Sequence, residues 1–407
     1  MILKTDPTFI NCQAMPFNGE RAFEAMQKRG VDAVIASSTE NVYYLSDYWS
    51  HGKKLGIQMD AFSLLPIKGQ PAVVAPLSEA DLIYDSGTWI DDLRFYGESG
   101  VELGEPDEPS ELTGRLLNMY KTVEPSADGL SALLKTVEDN GLSGGTLGLD
   151  STGLTPSQYE YLTSKLPDAK IVDGAEILRE IRMVKTKPEL DFIVMATEIT
   201  EKSMEDALEI VRSEITELDL AGMFSYSVAY GGGNVTQNMI GMGERSAYPN
   251  PVPSAYAAKR RDLVRFTLGC KYNHYHSNIS RTAVVGRPLQ KAQRWWETVQ
   301  GAQESAFENI EPGVKVSEVY AVLRKELSKA GVKDYNMPLG HSIGVECNES
   351  PIIYKDSDVE LEAGMLLNVD IPVLEVGFGG VQIEDTVIVT PDGCVLLTKT
   401  ERTLYML

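Results

Sequence analysis

The sequence predicts a mixed α/β (α+β) chain of two domains: a smaller N-terminal α/β domain and a larger C-terminal domain of helices and antiparallel strands. Three observations lead to this prediction. The 407 residues are enough for two domains, each with a core of its own. Short apolar runs typical of buried strands alternate with helical patterns up to residue 176. From residue 177 onward, long helical patterns are followed by extended runs, and this order occurs twice.

The N-terminal domain, residues 1–176, is predicted from elements that follow one another along the chain. An amphipathic helix comes first, then strands and helices alternate; in order these are helix 18–30, strand VDAVIAS, strands 62–67, 71–76 and 89–96, helices 112–121 and 129–140, and strand TLGLD. We expect the aromatic and then basic stretch ENVYYLSDYWSHGKKLG to form a loop. The acidic stretch 97–109, which contains Pro and Gly, is predicted to be a second, exposed loop.

The C-terminal domain, residues 177–407, is predicted to contain two related halves. Helices over 187–213 and 218–230 lead to an extended stretch over 262–286. Helices over 290–310 and 316–330 then lead to the strands MLLNVDIP and GVQIEDTVIVT. If the two halves face each other, the polar faces of their strands line a central cleft.

Composition restricts the classes of partner. The net charge is −22, from 59 acidic and 37 basic residues, and the run KRR at 259–261 is too short to form a basic patch. A nucleic acid or an anionic membrane is therefore not an expected partner. No apolar run reaches the roughly 20 residues of a membrane helix, and residues 1–13 lack the pattern of a signal peptide. We expect a cytoplasmic protein without a disulfide framework or cysteine zinc site, since the cysteines are scattered at Cys12, Cys270, Cys347 and Cys394.

The stretch 262–286 is a candidate wall of the cleft. Its first strand alternates apolar residues with Arg265 and Thr267, and we expect it to turn at Gly269. His274 and His276 lie on the connection that follows. A polar strand face beside imidazoles could serve catalysis, and an ordinary hairpin with one solvated side is the alternative.

Two carboxylates and a third histidine complete the candidate site. Asp370 and Glu384 each alternate with apolar neighbours on a strand, so both can point to the polar side of one sheet. His341 lies in a loop between Gly340 and Gly344, where the backbone can approach other groups closely. These three side chains could bind one metal ion or carry out acid/base catalysis without metal. The alternative is that each carboxylate is a solvated strand residue.

Five segments of the C-terminal domain carry a resemblance to a known family. They are IRMVKTKPELDFI, DLVRFTLGCKYNHYHSNISRTAVVG, PLGHSIGVECNESP, LEAGMLLNVDIP and VQIEDTVIVT. In order and spacing they resemble the pita-bread family of prolidase, aminopeptidase P, methionine aminopeptidase and creatinase. The resemblance implies a pita-bread fold for residues 177–407, and the N-terminal half is similar, more loosely, to the small domain of prolidase and creatinase.

The resemblance also implies a ligand set, from which this chain departs. Metallopeptidases of the family bind two metal ions through two aspartates, a histidine and two glutamates, and these positions fall on Thr267, Asn278, His341, Asp370 and Glu384. Two divalent ions bring four positive charges, whereas only two of these residues are carboxylates. A hydroxyl and an amide do not replace bridging carboxylates for hard cations. We therefore expect no metal and no other cofactor, or at most one ion on His341, Asp370 and Glu384.

The resemblance then favours the metal-independent members, creatinase and ectoine hydrolase. It implies a hydrolase that cleaves a non-peptide C–N bond in a small cationic, amidine-type or amide-type compound. His341 would be the principal proton-transfer group, with Glu384, Asp370 and His276 as further catalytic residues, while Thr267 and Asn278 would bind substrate. A metal-dependent Xaa-Pro dipeptidase is one alternative, and a catalytically silent binding protein on the same fold is another.

The loop SDYWSHGKK suggests how the protein assembles. In creatinase-like dimers, the N-terminal domain of one subunit covers the active site of the other. Trp49, His51 and Lys53 are similar to that covering loop, so the resemblance implies a homodimer in which they contact substrate. An exposed amphipathic loop without such a role is the alternative.

Overall fold

The computed structural model describes residues 15–407, and its N-terminal unit is built on a six-stranded mixed sheet. The strands are β1 (Ala33–Ala36), β2 (Phe62–Pro66), β3 (Ala72–Pro76), β4 (Asp92–Tyr96), β5 (Thr146–Leu149) and β6 (Lys170–Asp173). They lie in the order β4-β3-β2-β1-β5-β6. The pairs β1–β5, β3–β4 and β5–β6 are parallel, whereas β2 is antiparallel to both its neighbours. Residues 1–14, which include Cys12 and the segment considered for a signal peptide, lie outside the described part.

Eight helices accompany this sheet in the described part of the unit. They are α1 (Gly19–Arg29), α2 (Thr39–Ser46), α3 (His51–Lys54), α4 (Ala80–Ser86), α5 (Glu111–Thr122), α6 (Gly129–Asp139), α7 (Pro156–Lys165) and α8 (Gly174–Arg182). The prediction of a loop for ENVYYLSDYWSHGKKLG was wrong, because α2 and α3 form there. The aromatic residues of α2 are core residues: Tyr43 and Tyr44 are both buried.

The first compact unit ends at Arg182 and the second begins at Met183. The boundary predicted from the sequence, between residues 176 and 177, lies inside α8. Ile177, Leu178 and Ile181 on this helix are buried, and the helix packs against β1 and β5. The helix therefore belongs with the N-terminal sheet.

The C-terminal unit contains a ten-stranded sheet. Its strands are β7 (Asn234–Met242), β8 (Leu263–Tyr272), β9 (Tyr275–His276), β10 (Ile279–Val284), β11 (Gly340–Ser342), β12 (Glu349–Ile352), β13 (Leu366–Glu375), β14 (Gly379–Thr390), β15 (Gly393–Leu396) and β16 (Tyr405–Met406). The main order is β12-β11-β13-β14-β10-β8-β7, and β9, β15 and β16 pair with β8, β14 and β10. β8 continues past Gly269, where a turn was expected. The chain turns instead at Asn273 and His274, which have φ values of 45° and 69°.

Four helices cover one face of this sheet in two pairs. They are α9 (Lys187–Glu209), α10 (Glu217–Tyr230), α11 (Gln290–Phe307) and α12 (Val316–Lys329). α9 and α10 share a core with β7, β8 and β10, while α11 and α12 share one with β13 and β14. This is the expected arrangement of two related halves. None of the helices in the described part is long and apolar enough to cross a membrane.

The two cores decide which strand residues face away from the helices. Val264, Phe266 and Leu268 of β8 lie in the first core. Alternate residues of β13 and β14 lie in the second, among them Val369 and Ile383. Because neighbouring residues of a strand point to opposite faces, the polar residues between them lie on the other face of the sheet. That face carries the candidate site.

Candidate active site

Four polar residues lie in one row across four neighbouring strands of the C-terminal sheet. Thr267 on β8 is in register with Ser280 on β10. Ser280 is in turn in register with Glu384 on β14, and Glu384 with Asp370 on β13. Residues in register on neighbouring strands share a face and have their Cβ atoms close together. The predicted polar faces thus form one continuous surface. We call this surface the floor of the site, and it is made of Thr267, Ser280, Glu384 and Asp370.

Glu384 is held by donors from neutral side chains. It is 1% exposed, and its Oε1 accepts from Nδ2 of Asn278 at 2.6 Å and Nδ2 of Asn368 at 2.8 Å. Its Oε2 accepts from the hydroxyl of Ser280 at 2.6 Å. Because Oε1 of Glu384 accepts a hydrogen bond, the Asn278 side chain presents its NH2 group to Glu384. Its Oδ1 therefore points away from Glu384. That buried Oδ1 has no hydrogen-bond partner among residues 15–407.

Asp370 is connected to a buried cation through Gln382. Its Oδ1 accepts from Nε2 of Gln382 at 2.7 Å. Oε1 of the same Gln382 amide accepts from the Thr267 hydroxyl at 3.1 Å and from the Arg265 guanidinium. Gln382 therefore links Asp370, Thr267 and Arg265 in one hydrogen-bonded network.

Arg265 is 2% exposed, and its acceptors are all neutral. Besides Gln382, they are the carbonyl oxygens of Ser246, at 2.7 Å, and of Tyr248. Burial lowers the pKa of Arg265 to about 10, although the charges of Asp370 and Glu384 act in the opposite direction. The guanidinium remains charged at neutral pH.

His341 lies beside this floor on β11. Gly340 has a φ of 140°, and a Cβ there would come within 2.1 Å of the Asn368 carbonyl oxygen, so only glycine lets β11 approach β13 this closely. Nδ1 of His341 lies 2.9 Å from the carbonyl oxygen of Ser342. Because a carbonyl only accepts, Nδ1 carries the hydrogen in the neutral ring. Nε2, at 3.9 Å from Oε1 of Glu384, is then the basic nitrogen.

The surroundings shift the pKa values of these groups. Burial lowers the pKa of His341, which keeps the imidazole neutral at neutral pH. Burial raises the pKa values of Asp370 and Glu384, and the charge of Asp370 raises that of Glu384 further. The site therefore combines a neutral imidazole with two carboxylates of reduced acidity.

His276, predicted as a second catalytic imidazole, lies on the short strand β9. It is in register with Lys271 of β8, beyond the row that begins at Thr267. Its backbone N–H donates to the carbonyl of Gly344 at 2.8 Å, beside the loop that follows His341. A catalytic role for His276 stays a prediction.

The three predicted residues of the N-terminal domain have different surroundings. The Trp49 ring is buried and packs edge-on against Tyr43, with 5.8 Å between ring centroids. The Lys53 ammonium donates to the carbonyl of Gly153 at 2.9 Å, and burial lowers the pKa of Lys53. His51, the first residue of α3, is exposed. Their contact with substrate also stays a prediction.

Several residues of the network were not among the predicted site residues. They are Arg265, Ser280, Asn368 and Gln382. The strand period could have indicated three of them, because Arg265, Asn368 and Gln382 each lie two positions from a predicted site residue and therefore on the same face. Ser280 could have been found in the same way from Asn278. No sequence pattern shows which of these residues are in contact across neighbouring strands.

The fold is that of a two-domain hydrolase of the prolidase type. Residues 192–391 match the model of metallopeptidase family M24, and residues 20–184 match that of the creatinase/prolidase N-terminal domain. The chain is 30% identical over 390 residues to the Xaa-Pro dipeptidase of Pyrococcus horikoshii, with coverage of 95% of this chain and 97% of that relative. The chain belongs to metallopeptidase family M24.

Two further similarities agree with this assignment. The Xaa-Pro dipeptidase of Pyrococcus furiosus is 35% identical over 282 residues, which cover 68% of this chain and 78% of that protein. The crystal structure of the prolidase from Pyrococcus horikoshii OT3 gives a TM-score of 0.76 at 27% identity, covering 95% of this chain and 99% of that one. The expected pita-bread family, the fold class and a prolidase-like hydrolase of C–N bonds are confirmed.

The substrate class expected from the sequence was wrong. A metal-independent hydrolase of a non-peptide C–N bond was predicted, whereas the two Pyrococcus relatives, which match 68% and 95% of the chain, are named Xaa-Pro dipeptidases. The prediction used the neutral residues Thr267 and Asn278 to choose a substrate class. Those two positions concern the charge available to metal ions, and they carry no information about the bond that is cleaved.

The family implies metal ions, and the donor set of this chain does not fit a pair of them. Glu384 accepts hydrogen bonds at both carboxylate oxygens, and Asp370 does so at Oδ1. Thr267 and Asn278 are neutral, and both donate hydrogen bonds within the network. Within residues 15–407, no group of three or more His, Cys, Asp and Glu side chains is arranged to hold a metal ion. Hard divalent cations require several oxygen lone pairs directed at one point.

Proposed function

We propose that this chain hydrolyses the peptide bond of short peptides, with Xaa-Pro dipeptides as the first substrate class. The observation that carries the proposal is the placement of His341 beside the Asp370–Glu384 pair on the polar sheet face. The full-length similarity to an Xaa-Pro dipeptidase supports the choice of bond. The proposal shares the cleaved bond with the Xaa-Pro dipeptidase alternative considered from the sequence, although that alternative was metal-dependent.

His341 is the proton-transfer group of this proposal. In peptide hydrolysis, water adds to the carbonyl carbon, the C–N bond breaks, and the leaving nitrogen takes up a proton. Nε2 of the neutral imidazole can accept the proton of water and return it to that nitrogen. The hydrogen bond from Nδ1 to Ser342 holds the ring in the required tautomer.

Asp370 and Asn278 are the proposed contacts to the substrate. Asp370 is half-buried, and its carboxylate suits the terminal ammonium group of a dipeptide. Oδ1 of Asn278 is buried without a hydrogen-bond partner within residues 15–407, and it would accept from a substrate N–H once the substrate displaces the groups that cover it. Glu384 and Thr267 form the floor beneath the scissile bond.

The test measures release of proline from Xaa-Pro dipeptides, with Pro-Xaa dipeptides and Xaa-Pro-Xaa tripeptides as comparisons. His341→Ala should lower kcat by ~10²–10⁴-fold, the usual contribution of a positioned acid/base group. His341→Asn is the matched control for structure, because its amide can still donate to the Ser342 carbonyl while it lacks Nε2. We expect equal losses in both variants. Normal turnover in His341→Asn, or no proline release by the wild type, contradicts the proposal.

We further propose a cytoplasmic homodimer in which the N-terminal domain of one subunit covers the site of its partner. The exposed His51, together with Leu55 and Ile57 at 77% and 51% exposure, gives this part of the chain a surface that a second copy could bury. Light scattering should give twice the chain mass, and His51→Ala should raise KM. A monomer with full activity contradicts this assembly. Cell fractionation tests the location.

A further inference from the structure

We propose that the resident cation of this site is the guanidinium of Arg265, and that the site takes no pair of metal ions. The inference concerns the same cleft as the proposed peptidase function and rests on it only for the assay of turnover. Arg265 acts as a positioning residue, through Gln382 and Asp370. Four sets of contacts support this assignment.

The first set of contacts occupies both oxygens of Glu384 with hydrogen bonds. Of its donors, Asn368 is bonded at both ends of its amide: Oδ1 accepts from the Thr386 hydroxyl at 3.2 Å, and Nδ2 donates to Glu384. Asn278 and Ser280 donate at 2.6 Å each. Three hydrogen bonds thus hold both oxygens of this buried side chain, so displacing all three donors is costly.

The second set of contacts concerns the two positions where the family carries aspartates. Thr267 donates to Gln382 at 3.1 Å, and Asn278 donates to Glu384. Each of these side chains therefore directs a hydrogen atom toward the network. A metal ligand would have to direct a lone pair to a common point instead.

The third set of contacts surrounds Arg265. It is buried, and within the described part of the chain no carboxylate lies within 4.0 Å of it, whereas the buried Lys185 and Arg281 have Glu349 and Asp385 at 3.0 and 2.6 Å. A buried charge without compensation is strongly destabilising. Here the compensation comes from Asp370 and Glu384 at longer range. Arg265 is therefore linked to Asp370 through its charge as well as through the hydrogen bonds of Gln382.

The fourth set of contacts joins this charge to the substrate contact. Arg265 donates to Oε1 of Gln382, which orients the amide so that Nε2 donates to Asp370. Asp370 is thereby held through Oδ1, and Oδ2 is the oxygen that we assign to the substrate. Two divalent ions beside this network would lie next to a fixed positive charge and would be repelled by it.

The first experiment measures metal binding, independently of turnover. Wild-type protein purified with Mn²⁺ and then dialysed should contain well under one equivalent of metal by mass spectrometry, and Mn²⁺, Co²⁺ or Zn²⁺ should leave its melting temperature unchanged. The variant Arg265→Leu/Thr267→Asp/Asn278→Asp should gain Mn²⁺ binding. Arg265→Leu/Thr267→Asn is the matched neutral control and should not. Two equivalents of tightly bound metal in the wild type overturn the inference.

The second experiment tests the Arg265 charge by chemical rescue. Arg265→Ala should lower kcat by ~10²-fold or more, as loss of a fixed electrostatic group does. Added guanidinium should restore part of the rate, whereas urea, its neutral counterpart of the same shape, should not. Equal rescue by urea, or none by guanidinium in a folded variant, overturns the role of the charge.

The two proposals fail separately in these experiments. If the wild type holds no metal and cleaves no Xaa-Pro peptide, the peptidase proposal is overturned and the metal inference stands. If the wild type cleaves Xaa-Pro peptides with two bound metal ions, the metal inference is overturned and the peptidase proposal stands.

Discussion

A buried arginine behind the site should control both stability and activity. β10 and β14 are in register only at Ser280 and Glu384, so few ladder contacts hold this junction. Nη1 of Arg281 donates to the carbonyl oxygens of both residues, at 2.9 and 3.0 Å. Its Nη2 donates to Oδ1 of Asp385 at 2.6 Å, and both side chains are fully buried. Arg281 therefore holds β10, which carries the donor Ser280, next to β14, which carries Glu384.

The substitution Arg281→Met leaves Asp385 as a buried carboxylate without its main cation. Breaking a buried pair in this way costs ~3–5 kcal/mol, although contacts from Thr398 and Arg402 remain on the Asp385 carboxylate. For a unit of this size, each kcal/mol lowers the melting temperature by ~2–4 °C, which gives a fall of ~6–20 °C. The β10–β14 junction should loosen, and kcat should fall even below the melting temperature.

The assay is calorimetric or denaturant unfolding together with peptide turnover. Arg294→Met, on the exposed side of α11, is the matched control and should stay within ~0.5 kcal/mol of wild type. Arg281→Met/Asp385→Leu should be more stable than Arg281→Met, because it no longer buries an uncompensated charge. If the free energy of unfolding of Arg281→Met lies within ~1 kcal/mol of the wild-type value, this account of the junction is wrong. It is also wrong if Arg281→Met/Asp385→Leu is less stable than Arg281→Met.

Two further predictions concern the N-terminal unit. The Tyr48 hydroxyl donates to Oε2 of the buried Glu79, so Tyr48→Phe should lower the free energy of unfolding by ~1–3 kcal/mol, whereas Tyr230→Phe at an exposed site should not change it. Burial raises the pKa of Asp47 from 3.8 to about 6, so its stabilising contribution is complete below pH 3.8 and is lost as the pH rises through 6. Asp47→Asn should therefore be more stable than wild type at pH 7 to 8, by up to roughly 3 kcal/mol. This gain in stability should disappear toward pH 4. If the difference in free energy of unfolding between variant and wild type does not vary with pH, the burial argument is wrong.

Much of the fold could be predicted from the sequence because its signals are local. The alternation of Val264, Phe266 and Leu268 with polar residues is a property of one strand, and the structure places these three residues in the core as expected. The order of helices and strands in the two halves follows from periodicity in the same way. Where the signal was ambiguous, as in the aromatic stretch of α2, burial in the tertiary structure decided the conformation.

The sequence by itself determined which residues face the polar side of the sheet, and the segments that carried the family resemblance. The tertiary structure decided how those residues are paired. Thr267 and Glu384 are 117 positions apart in the sequence, and only the register of β8, β10 and β14 brings them into one row. The same register allows Gln382 to join Arg265 to Asp370. Contacts between strands depend on long-range pairing, and no local pattern records them.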